Sequence, residues 1–145
     1  MDRRRARRQC VVMTDELTAA LHAAMPFTAV LGATALRVAP DEVALRLDWD
    51  EGRCTSGGLL HGGVLMALAG SAGGWCAYLN LPEGATGTAT VTSATNFLRP
   101  VTRGHVEAVA RPLNLGRTVI VVDTELRDAD GRLAARVTQT QAVLR

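Results

Sequence analysis

From Cys54 to Pro82 the chain carries no Asp, Glu, Lys or Arg, and no other feature restricts its fold as much. Inside that run, HGGVLMALAGSAGGWCAYLN holds Gly62, Gly63, Gly70, Gly73 and Gly74 among residues that otherwise favour a helix. Glycine costs a helix interior about 1 kcal/mol relative to alanine, so these five need a reason. The run is long enough to cross a bilayer. Yet it includes Thr55, Ser56, His61, Ser71 and Asn80 and sits within a chain of alternating strands. The expectation is a buried core helix over residues 62–80, ended near Pro82 and Gly84, with no membrane partner.

A helix that is apolar on nearly all sides needs cover on nearly all sides. The rest of the chain supplies it as strands. LGATALRVAPDEVALRLDW reads as a hairpin turning at APDE, with Val43, Leu45, Leu47 and Trp49 on one face and Arg46 and Asp48 on the other. After the helix, residues 87–100, 104–114, 117–128 and 132–144 alternate with period two, and DADG between the last two is a hairpin turn with Gly131 at positive φ. Ahead of the hairpin, TDELTAALHAAMP reads as a short amphipathic helix. Thr14 is its expected N-cap, Leu17, Leu21 and Met25 its apolar stripe, and Pro26 its stop. The predicted class is therefore α+β, with one curved, mainly antiparallel sheet wrapped around a long central helix. On this view the helix glycines serve close packing, Gly73 and Gly74 above all.

Charge is distributed unevenly. The formal net charge is +2, but Arg3, Arg4, Arg5, Arg7 and Arg8 against Asp2 place +4 in the first eight residues, leaving −2 on the remainder. Residues 1–13 are read as a basic, flexible leader without the apolar core of a secretory signal, and residues 14–145 as the folded domain. A mildly acidic domain is no surface for nucleic acid. Three cysteines in no CxxC spacing point to a reducing cytoplasm. No metal site is expected.

LLHGGVLMALA, preceded by PFTAVLG and followed by TNFLRPV and DADGRLAARVT, resembles the hotdog-fold acyl-CoA thioesterases of the PaaI-like type, within the 4-hydroxybenzoyl-CoA thioesterase superfamily. The resemblance covers about residues 25–145. It implies hydrolysis of acyl-CoA thioesters, no cofactor beyond the coenzyme A of the substrate, and homodimers or homotetramers with sites between subunits. By the same resemblance the Gly62 N–H is the oxyanion donor and Gly63 gives the carbonyl room to approach a helix N-terminus. His61 orients the loop. Thr92 stands near the attacking water, four residues before Asn96. Arg99 and Arg117 are candidates for the nucleotide phosphates, which suit Arg forks.

The chain departs from that family at the group that activates water. The family's carboxylate, a general base or nucleophile, lies nine residues after the His; here that position is Gly70, followed by Ser71. A second position, six before the His, is usually an amide or acid and here is Thr55. From residue 62 to 80 there is no carboxylate, so Asp50, Glu51 and Asp123 are left as acids that would reach in from elsewhere. Two function classes follow: a thioester hydrolase weakened at Gly70, or a hotdog protein that binds acyl-CoA without turnover, as a sensor or partner subunit.

Overall fold

A computed structural model describes residues 3–145, with side chains from Thr14 onward. Helix α1 (Arg3–Ala24) and the short α2 (Phe27–Leu31) precede the hairpin β1 (Thr34–Ala39) and β2 (Glu42–Asp48). Two single 3₁₀ turns, at Glu51–Arg53 and Ser56–Gly58, lead into α3 (Gly62–Leu79); β3 (Gly87–Phe97), β4 (His105–Leu115), β5 (Val119–Asp128) and β6 (Leu133–Leu144) follow. All six strands join one sheet in the order β1-β2-β4-β5-β6-β3, every pair antiparallel. Strand periods, hairpin turns and the central helix fall where the sequence places them, and Gly131 has φ 78°.

Two differences appear near the N-terminus. Helix α1 begins at Arg3, so Thr14 lies within it and is not its first turn. The side chains of the expected leader lie outside the described residues. The brief α2 was not expected; it ends on Gly32, which takes the left-handed C-cap conformation at φ 81°.

The core lies between α3 and the concave face of the sheet. Leu65, Leu68, Ala69, Ala72 and Cys76 of α3 pack among Leu45, Leu47, Val106, Ala108, Ile120, Val122, Leu126 and Val137, all buried. Leu21 of α1 joins this cluster, with Leu17 and Met25 at its edge. Small residues suit the contact: a Cβ at Gly73 would run into the Gln139 side chain on β6.

Cover on all sides is not achieved. Met66, Gly70, Gly74 and Tyr78 form an i, i+4 ridge that the sheet leaves open, with Met66 and Tyr78 exposed and the two glycines half-buried. Gly74 corrects the packing expectation, since a Cβ there would meet nothing within 4 Å. Strand β3 is also open. It forms one edge of the sheet and exposes Val91 and Phe97 to more than half their surface.

Candidate active site

The approach to α3 is fixed by one cation. Arg53 Nε donates to the Leu31 carbonyl at 2.9 Å and Nη1 to the Asp48 carbonyl at 3.0 Å. The Arg53 carbonyl in turn accepts the His61 N–H at 2.9 Å. The guanidinium occupies the place a Gly32 Cβ would take. The last carbonyls of α2, the end of β2 and the entry to α3 are thereby tied together.

His61 is extended, at φ −61° and ψ 134°, and caps α3: its Nδ1 accepts the Gly63 N–H at 2.8 Å. With Nδ1 as acceptor, the neutral ring carries its proton on Nε2. In this structure the His61 side chain is the cap of α3. The Gly62 N–H, one residue earlier, meets no acceptor among the described residues, as the first turn of a helix dictates. The Phe97 ring of β3 lies 3.0 Å from where a Gly62 Cβ would stand. Thr55, Leu60, Gly62, Leu65, Phe97 and Arg99 are among the walls of a cleft of about 320 Å³ at this end of the helix.

Gly70 faces a second, larger cleft of about 620 Å³, bounded by Met25, Gly74, Tyr78, Thr90 and Gln141 among others. Eight residues of helix separate Gly62 from Gly70, about 12 Å along the axis. One chain therefore divides the expected site between two clefts. Among the described residues, no Asp or Glu lines either of them. Of the acids considered from sequence, Asp50 accepts the Gly52 N–H at 2.8 Å and Asp123 pairs with Arg136 at 2.7 Å on the outer face of the sheet. Ser71 is spent locally, its hydroxyl donating to the Ala67 carbonyl one turn back at 2.9 Å. Cys76 offers no thiolate, because burial pushes its pKa up to about 11.

The strand residues fall differently from expectation. A bulge at Val91 shifts the β3 register between Thr90 and Thr92. Thr90 stands inward and accepts from Gln141 Nε2 at 2.8 Å. Beyond the bulge Thr92 lies opposite Thr140 and Asn96 opposite Arg136, positions on the face turned away from α3. Ser93, Thr95 and Phe97 take the inward places, opposite Gln139, Val137 and Ala135. In its own chain, then, Thr92 is not near α3. The two arginines are also apart. Arg99 donates its N–H to Ala134 near the β5–β6 turn, whereas Arg117 lies at the β4–β5 turn, at the opposite end of β5.

Sequence reading missed Arg53, the Phe97 ring, and the buried amides Gln139 and Gln141. The last two carried a signal: they are polar residues at the inward positions of a strand whose other inward positions are Ala135 and Val137.

Residues 57–135 match the model of the thioesterase superfamily, which takes in α3, the cap and all of β3 to β5. The chain belongs to the thioesterase superfamily. Its fold recurs in a mutant thioesterase from Pseudomonas aeruginosa, with a TM-score of 0.81, 29% identity, and coverage of 88% of this chain and 93% of that one. It recurs also in a mutant of the phenylacetic acid degradation protein PaaI from Thermus thermophilus, at TM-score 0.75, 30% identity, and 82% and 99% coverage. Among sequences, a 1,4-dihydroxy-2-naphthoyl-CoA hydrolase of Escherichia coli is 37% identical over 87 residues, 60% of this chain and 63% of that protein. The matched stretch thus spans less than two thirds of the length of such curated relatives. The superfamily assignment and the hotdog architecture agree with the resemblance read from HGG, NFLRP and the closing hairpin.

Proposed function

We propose that this chain hydrolyses acyl-CoA thioesters, with coenzyme A entering only as part of the substrate. The observation that carries this reading is the unpartnered Gly62 N–H at the capped start of α3, opening on a cleft. A thioester carbonyl accepting that N–H gains charge on oxygen as water adds to its carbon, and the helix start favours that charge. The C–S bond then breaks and the thiolate leaves with the proton that the water has lost. Arg99, on the wall of the same cleft, suits a phosphate of the leaving nucleotide. Membership of the superfamily and the E. coli CoA hydrolase among its relatives support the substrate class.

The working unit is a homodimer or homotetramer. The open β3 edge, the bare ridge of α3 and the division of the site between two clefts support this. A second copy would bring its Gly62 donor toward the Gly70 cleft of the first, and Arg117 would act from a neighbouring chain. With Cys54 and Cys76 unpaired, a cytoplasmic setting is the matching location.

A second reading has its own observation. Since no carboxylate among the described residues lines either cleft, a protein that binds acyl-CoA without turning it over fits as well. Thiol release from a panel of acyl-CoAs, followed with a thiol reagent, separates the two. Release at a rate proportional to protein supports the hydrolase. Measurable acyl-CoA affinity with no release supports the binder.

A further inference from the structure

Two of the five glycines of α3 are not accounted for by packing. Gly62 and Gly63 stand in the first turn, and a Cβ at Gly73 would collide with Gln139. A Cβ at Gly74 would meet nothing within 4 Å, and one at Gly70 only Gln139 Nε2, at 3.7 Å. Glycine weakens a helix interior relative to alanine, and alanine would find room at either place. The fold does not call for these two.

What they share is the larger cleft. Gly70 and Gly74 are half-buried, and both line the cavity of about 620 Å³. One turn apart on the same face, they make a strip about 6 Å long on which bare backbone is the cleft wall. The amides of a helix interior are already bonded to one another, so this strip suits hydrocarbon. Met25 at the end of α1, with Trp75 and Tyr78 beyond Gly74 on α3, adds apolar wall around it. Long side chains on a helix point back over the preceding turn. A side chain longer than a methyl at position 74 would therefore lie across Gly70 and fill the strip.

We propose that Gly74 is a specificity-determining residue that sets the size of the acyl group. The body of that group lies along the Gly70–Gly74 strip toward Tyr78, and the substrate class is a bulky acyl-CoA in preference to acetyl-CoA. The proposal rests on the acyl-CoA reading given above and applies to turnover and to binding alike. A cavity of this volume is in the range of sites that enclose a sizeable organic group, and an acetyl group would leave most of it unfilled.

The test is Gly74→Leu in the full-length protein, with Gly74→Ala beside it, on acetyl-, butyryl-, octanoyl- and phenylacetyl-CoA. Thiol release gives kcat/KM, calorimetry gives Kd, and the thermal midpoint and elution volume report folding and association. The wild type should favour octanoyl- or phenylacetyl-CoA over acetyl-CoA by about tenfold or more. In Gly74→Leu that ratio should fall by about tenfold or more, the scale on which an apolar pocket discriminates by a methylene or two. Gly74→Ala should shift the ratio less in the same direction, and it carries the test if the Leu variant does not fold. If affinity is measurable without thiol release, the same ratios are read from Kd. A wild type that favours acetyl-CoA overturns the assignment while leaving the acyl-CoA reading intact. So does a folded variant with an unchanged ratio or an equal loss on all four thioesters. A wild type that neither hydrolyses nor binds any of the four removes the acyl-CoA reading and this inference with it.

Discussion

His61 Nδ1 accepts the Gly63 N–H at 2.8 Å, and that one bond sets both the direction of the ring and the exposure of the Gly62 N–H beside it. His61→Ala removes the acceptor and should cost about 1 kcal/mol, the usual loss for a deleted helix cap. Asparagine is among the best capping residues, so His61→Asn should keep most of that stability. Urea denaturation of the three proteins checks the order. A fall in stability for Asn as large as for Ala would contradict capping as the main role of the side chain.

Gly70→Asp should raise hydrolysis rather than disturb the fold. A Cβ at this position meets only Gln139 Nε2, at 3.7 Å, an ordinary contact. A positioned general base is worth roughly 10²–10⁴ in rate. Since the base acts as a carboxylate, the added activity should disappear as pH falls through its pKa, near an ordinary value of about 4. The measurement is thiol release against pH for wild type and variant. A variant that folds but gains nothing would show that the larger cleft does not receive the thioester.

Adjacent glycines should respond in opposite directions. Gly74→Ala places a methyl in open space and relieves a helix-interior glycine, a gain of roughly 0.5–1 kcal/mol. Gly73→Ala drives its methyl into the buried Gln139 amide, and overpacking of this kind costs about 1–3 kcal/mol. Thermal unfolding of both variants should rank Gly74→Ala above the wild type and Gly73→Ala below it. Equal midpoints would mean that the Gln139 side chain moves aside freely.

The β5–β6 turn should be sensitive to acid. The Asp128 carboxylate accepts from Arg132 N at 2.9 Å, from Asp130 N at 3.0 Å and from Arg132 Nε at 3.0 Å. The Arg132 N–H in particular holds its pKa below the usual value. A carboxylate with a lowered folded pKa contributes stability that is present above its unfolded value, about 3.9, and is lost as pH falls through the folded one. The stability difference between wild type and Asp128→Asn should therefore be largest near neutrality and shrink below about pH 4. Denaturation curves over that range measure it, and a gap that stays constant would rule out the linkage.

The fold was readable because pattern and punctuation agree along the chain. Leu45, Leu47 and Trp49 alternate with Arg46 and Asp48, DADG closes its hairpin with Gly131, and the uncharged run finds its place against the sheet. Strand β3 was less readable. The family resemblance placed Thr92 near the attacking water, but the bulge at Val91 absorbs one residue and leaves Thr92 and Asn96 on the outer face. No residue type announced that bulge. Likewise the glycines of α3 look alike in sequence, yet Gly62 admits a ring, Gly73 an amide, and Gly74 faces open space. Those differences depend on Phe97 and Gln139, which lie far away in the chain and come near only through the sheet.

The open space beside Gly70 has a genetic side. Glycine and aspartate codons can differ at a single base, and the same is true of glycine and glutamate. Because a Cβ there makes only an ordinary contact with Gln139 Nε2, one point mutation is enough to set a carboxylate on α3 with its first carbon already accommodated. The difference between this chain and one with an acid on the central helix is thus a single base.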